Sequence, residues 1–122
     1  MNSALKKLRR PFRKYFGVSF RMEHMERNLA EIDMDLRVIH YSRYFDSDSI
    51  FIATAFHEIG HLLASSRSSK RRYEEKCWEI GFALMEGMFN IKKTPEMELH
   101  AKYCVSTYGT WTKKWSVTDE YK

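Results

Sequence analysis

At 122 residues with 43% hydrophobic and 15% aromatic content, the chain can bury one core and no more, so a single domain is expected. It shows neither an apolar run long enough for a membrane span nor the apolar stretch of a signal peptide, and its two cysteines, Cys77 and Cys104, form no C-x-x-C pair or disulfide framework. A cytosolic location with both thiols as small core groups is expected, and the net charge of +5 is concentrated in the first 22 residues, which hold seven cations and no acid while the rest holds 14 basic and 16 acidic residues.

Residues 3–16 can form a short helix with Leu5, Leu8, Phe12 and Phe16 on one side, although Pro11 removes a backbone donor partway along. With Lys6, Lys7, Arg9, Arg10, Arg13, Lys14 and Arg21, residues 1–22 read as a basic arm or helix. Such a segment suits nucleic acid, an acidic protein or an anionic membrane surface, or it docks on the core through its leucines. Residues 23–122 then make up the domain proper. Residues 23–36 read as a helix, with Met22, Met25, Leu29 and Ile32 at helical spacing and His24 on the surface. Residues 37–44 (RVIHYSRY) are the strand candidate, from near alternation of β-branched and aromatic residues; His40 is expected to be satisfied within the sheet.

Residues 50–64 form an apolar run that reads as a buried helix, with N-cap candidates at Asp46, Ser47, Asp48 and Ser49. Inside it stands His57-Glu58-Ile59-Gly60-His61, an H-E-x-x-H motif. Four-residue spacing puts both imidazoles on one helix face, close enough to share a divalent cation, with Glu58 turned by about 100° toward a water at that ion. Burying three ionisable side chains costs free energy unless a cation or partner compensates. Gly60 gives up about 1 kcal/mol of helix propensity and suits the close approach of another backbone segment.

Two histidines do not complete a catalytic zinc site, which keeps three protein ligands and one open position. Ala64 and Arg67 stand where the metzincin glycine and third histidine would fall, so the third ligand must come from a second helix. Residues 65–72 are a polar, basic loop, and residues 73–90 are that helix. Its Glu75, Glu79 and Glu86 share one stripe, which suggests Glu75 on the metal and Glu79 accepting the free N–H of a ligating histidine. A solvated acidic face is the competing account of the stripe, and Glu74 or Glu79 as the ligand stays open. Beyond a turn at Lys92, Lys93, Thr94 and Pro95, residues 96–108 resume helical character, Gly109 is a candidate stop, and Trp111 and Trp115 suggest an aromatic flap.

The segments TAFHEIGHL (54–62) and YEEKCWEIGFALMEGMFNI (73–91) resemble the zincin-type domain of the antirestriction protein ArdC and its phage relatives, with the pattern HE-[LI]-GH followed by EE-x-x-x-EIG. ImmA/IrrE peptidases are similar at greater distance. The resemblance covers roughly residues 37–111 and extends to Pro95 and to His100-Ala101-Lys102-Tyr103, similar to a downstream P…HAxY element. Trp78 departs from the small residue usual in the family, and the single-stranded DNA-binding domain that precedes the peptidase part of ArdC has no counterpart in these residues.

The resemblance implies a minimal, gluzincin-type zincin fold, α+β and mainly helical, with a short edge sheet. It implies Zn²⁺ held by His57, His61 and Glu75, a phage or mobile-element setting, and a protein substrate such as a repressor or a host defence factor. The expected chemistry is peptide-bond hydrolysis with Glu58 as general base and His100 or Tyr103 stabilising the oxyanion. A strand beside the metal helix, assigned to residues 37–44, would hold extended substrate. The competing expectation is a non-catalytic, metal-stabilised protein that contacts nucleic acid through its basic arm.

Overall fold

The computed structural model describes the backbone of residues 2–64 and 70–115 and the side chains of residues 3–64 and 70–107. The order is α1 (Asn2–Phe16), β1 (Ser19–Glu23), β2 (Ala30–Asp33), β3 (Val38–Ser42), α2 (Asp48–Leu63), α3 (Lys70–Gly87) and α4 (Pro95–Trp115). The class is α+β. No described helix is long and apolar enough to cross a membrane. Residues 65–69 of the expected loop lie outside the described residues, as do the side chains of Trp111 and Trp115; residues 70–72 already belong to α3, and the α4 backbone continues past Gly109.

The N-terminal segment is part of the core. Ala4, Leu8 and Phe12 recur every four residues along α1 and are buried in one cluster with Phe51, Phe56, Trp78 and Met85. Phe12 lies 5.0 Å from the Phe56 ring and 5.8 Å from Phe89, both edge to face. Pro11 is accommodated within α1. The division expected after residue 22 therefore falls inside β1 and separates nothing in the packing.

The helix expected over residues 23–36 is instead the end of β1, a loop, β2 and a turn. Asn28 and Arg37 adopt left-handed φ values of 61° and 57°, incompatible with a continuous right-handed helix. Asp33 Oδ1 accepts hydrogen bonds from the Asp35 and Leu36 N–H groups, closing the turn that leads into β3. The sheet order is β1-β3-β2, with β1 parallel and β2 antiparallel to β3. The strand expected at residues 37–44 is thus central, and β2 is an edge.

α2 starts at the Ser47 N-cap, whose side chain accepts from the Ile50 N–H at 3.2 Å, and is buried from Ile50 through Gly60. It meets α3 backbone to backbone at two glycines. A Cβ on Gly60 would overlap the Cys77 carbonyl, and one on Gly81 would sit 2.5 Å from the Phe56 carbonyl oxygen. On an exposed helix Gly60→Ala would gain about 1 kcal/mol in propensity. Here the helices must separate, and we expect a net loss of roughly 3 kcal/mol or more, read as a lower thermal midpoint together with weaker metal binding.

Candidate metal centre

Helix α3 turns Glu74, Cys77, Trp78 and Gly81 onto α2, positions three, four and seven residues after the first that mark its buried face. Glu74 is 3% exposed, and its carboxylate bridges the two motif histidines: Oε1 is 2.9 Å from His57 Nε2, and Oε2 is 3.3 Å from His61 Nε2. Glu75, expected as the third ligand, does not reach them. It lies on the outer side of α3, half-buried, and pairs with Arg72 at 3.2 Å. Glu79 is exposed on the same outer side and is no second partner of a histidine. One residue of helical rotation, about 100°, separates the two faces.

The remaining contacts fix the rings. His61 Nδ1 lies 3.2 Å from the Tyr73 hydroxyl and 3.5 Å from Cys77 Sγ, so partners occupy that edge of the ring and Nε2 is directed at Glu74. His57 stacks on Trp78 with centroids 4.1 Å apart and an interplanar angle of 18°. The residue that departs from the ArdC-like pattern is therefore a platform for a motif imidazole. Cys77, expected as a small core group, belongs to the cluster: ligand atoms of His57, His61 and Cys77 all lie within 4.8 Å of one another, close enough to hold a metal ion. Cys77 shares the buried face of α3 with Glu74, three residues before it, and not with Glu75.

Glu58 is 6% exposed, and its Oε1 accepts a hydrogen bond from the Ile32 N–H of β2 at 2.9 Å. Burial, with the charges of Glu74 and Glu31, raises its pKa to about 8, although His61 and the Ile32 bond pull it down. Burial and the charges of His61 and His100 hold His57 well below the usual imidazole range. Burial also opposes protonation of His61, yet hydrogen bonds to Cys77 and Glu74 and the charges of Glu58 and Glu74 push it up to about 12.

These groups open onto a cleft of about 480 Å³ between β2, α2, α3 and α4. His100, expected as an oxyanion stabiliser, lines it, with its ring edge-on to Trp78 at 6.0 Å and Nε2 3.5 Å from Cys104 Sγ. Burial lowers the His100 pKa against the pull of Asp46 and Glu96. Tyr103, the alternative, is 65% exposed and off the cleft, because one helical turn of α4 brings His100, Cys104 and Thr107 inward and leaves position 103 outside. Thr54 and Trp78, which also line the cleft, carry buried Oγ1 and Nε1 atoms with no hydrogen-bond partner among the described residues.

Comparison with known proteins returned no match to a family model, a characterised protein or a solved structure. The chemistry of the donors is therefore the test of fit. A tetrahedral ion with bonds of about 2.0–2.2 Å sets its ligand atoms about 3.3–3.6 Å apart. The two Glu74 oxygens lie 2.9 and 3.3 Å from Nε2 of His57 and of His61, and donor atoms of His57, His61 and Cys77 lie within 4.8 Å of one another. Two imidazoles with a thiolate or a carboxylate beside them are donors of the kind that hold a divalent metal ion.

Proposed function

We propose that this chain is a zinc-dependent peptidase of zincin type, in which His57, His61 and Glu74 hold the ion and Glu58 is the general base. The observation that carries the proposal is the Glu74 carboxylate spanning Nε2 of both motif histidines at 2.9 and 3.3 Å, next to a buried Glu58 and at the wall of a cleft. When bound, zinc supplies Lewis acidity, activating a water for attack and polarising a carbonyl.

The protein residues do the rest. Glu58 Oε1 is anchored by the Ile32 N–H, which leaves Oε2 to take the proton of the attacking water and return it to the leaving amine. Trp78 fixes the plane of His57, and Tyr73 and Cys77 fix the tautomer of His61. His100 is the cleft-lining donor for a developing oxyanion. Edge strand β2 lines the same cleft through Ala30, Glu31 and Ile32 and suits an extended peptide laid alongside it. The substrate class is thus a protein or peptide; the resemblance to antirestriction and ImmA-type domains supports a host regulatory or defence protein as the target.

The test is metal content by mass spectrometry together with cleavage of an unbiased peptide library. Cleavage that a chelator removes and zinc restores is expected, and a fully zinc-loaded protein that cuts no peptide in the library would sink the proposal. A structural, non-catalytic metal site is the second reading, favoured by Cys77 because thiolates complete closed sites. Cys77 approaches Nδ1 of His61 while Glu74 approaches Nε2, so the two donors address opposite edges of one ring. Cobalt substitution separates the readings: a sulfur-to-cobalt charge-transfer band means thiolate ligation and a closed site.

A further inference from the structure

We propose that the exposed face of α1 is a docking surface for the phosphodiester backbone of nucleic acid, placed on the side of the protein away from the metal cleft. Lys6, Lys7, Arg9, Arg10, Arg13 and Lys14 are all exposed. At 100° per residue they occupy one arc of about 160°, over about 12 Å of helix axis. Among the described residues no carboxylate lies within ion-pair distance of any of the six. Lys14 Nζ lies 5.4 Å from the centre of the Tyr15 ring. Six cations with no ion-pair partner among the described residues, on one rigid helix face, create a strong local field that calls for a polyanion.

The burial of α1 selects the partner. A helix that binds a membrane surface inserts its apolar side into the headgroup boundary, but here that side, Ala4, Leu8 and Phe12, is committed to the core. Docking to an acidic protein would call for apolar or aromatic anchors at the centre of the patch, and the arc contains only cations. A phosphodiester backbone requires neither. It presents a dense row of anions, and Arg9, Arg10 and Arg13 carry planar forks suited to phosphate oxygens.

The position also leaves the cleft free. Phe12 of α1 packs on Phe56 of α2, whereas the cleft is lined by Thr54, His57, Glu58 and His61 of the same helix. Phe56 is about 100–160° around α2 from those four residues. A nucleic acid held on α1 therefore does not cover the metal centre, and the surface stands whether or not the cleft hydrolyses peptides.

The experiment is fluorescence anisotropy of the full chain with a labelled DNA duplex of scrambled sequence and with its single strand, each over a salt series. Binding is expected to weaken steeply, with a log–log slope approaching about −5 for the duplex or about −4 for the single strand if all six cations engage. The steeper and tighter arm identifies the source of the backbone. Combined Arg9→Glu, Arg10→Glu and Arg13→Glu should cut affinity by on the order of 100-fold at low salt while zinc content and thermal midpoint stay unchanged. If that variant does not fold, combined Lys6→Gln, Lys7→Gln and Lys14→Gln should reduce the salt slope by about 3 units for duplex. A flat salt response, unchanged binding by a folded charge variant, or binding to phosphatidylserine vesicles with none to either DNA overturns the proposal.

Discussion

Glu58→Gln should retain zinc and lose turnover, by about 10²–10⁴-fold if its role is proton transfer alone. Glutamine keeps the oxygen that accepts the Ile32 N–H, so the anchor to β2 survives and only the proton-accepting group is removed. The same substitution has a second consequence in the metal-free protein. Glu58 has its pKa raised to about 8 by burial, whereas the unfolded chain ionises near the usual glutamate value. Its contribution is most favourable below the unfolded pKa, where both states are protonated, and is lost as pH rises through the folded pKa. Metal-free Glu58→Gln should therefore gain on wild type between about pH 5 and pH 8, by at most on the order of 5 kcal/mol, with little difference at pH 4. Thermal unfolding across that range checks it. A bound cation reverses the balance by favouring the carboxylate, so the gain should shrink when zinc is present. Full activity in the zinc-loaded variant would remove Glu58 from the chemistry.

The parts of this molecule that can be read from sequence are those where one physical requirement dominates. The apolar run of α2 bounded by serine and aspartate, the paired imidazoles and the glycine at a close helix approach all appear where their residue types demand. The misassigned stretch is residues 23–36, where Ala30 and Ile32 fit a strand as readily as a helix and the left-handed residues Asn28 and Arg37 are neither glycine nor proline. Central placement of β3 follows from a parallel pairing with β1, a long-range choice that alternation within one segment cannot reveal.

The burial of Glu74, the proposed third ligand, is legible by a different rule. Glu75, Glu79 and Glu86 align because they share the outer face of α3, which is the solvated acidic face weighed against them. Glu74 instead interrupts the apolar stripe formed with Cys77, Trp78, Gly81 and Met85. A single acid on the apolar stripe is the one that folding buries, and a buried acid needs a partner. The stripe of like residues marks the face of α3 that stays toward solvent.

That contrast gives the sharpest test of the metal centre. Glu74→Ala should weaken zinc binding by more than about 100-fold, because loss of even an outer partner of a ligand costs about 10–100-fold and Glu74 faces both histidines directly. Glu75→Ala, adjacent in sequence, should leave affinity unchanged, since its carboxylate meets only the exposed Arg72 and an exposed ion pair contributes at most about 1 kcal/mol to folding. Tyr73→Phe removes one partner of His61 Nδ1 but leaves Cys77, so a loss at the low end of about 10–100-fold is expected. Chelator competition followed by mass spectrometry reads all three on one scale. If Glu75→Ala releases zinc while Glu74→Ala holds it, α3 must sit about 100° from the rotation described here, and Cys77 and Trp78 would leave the histidines with it.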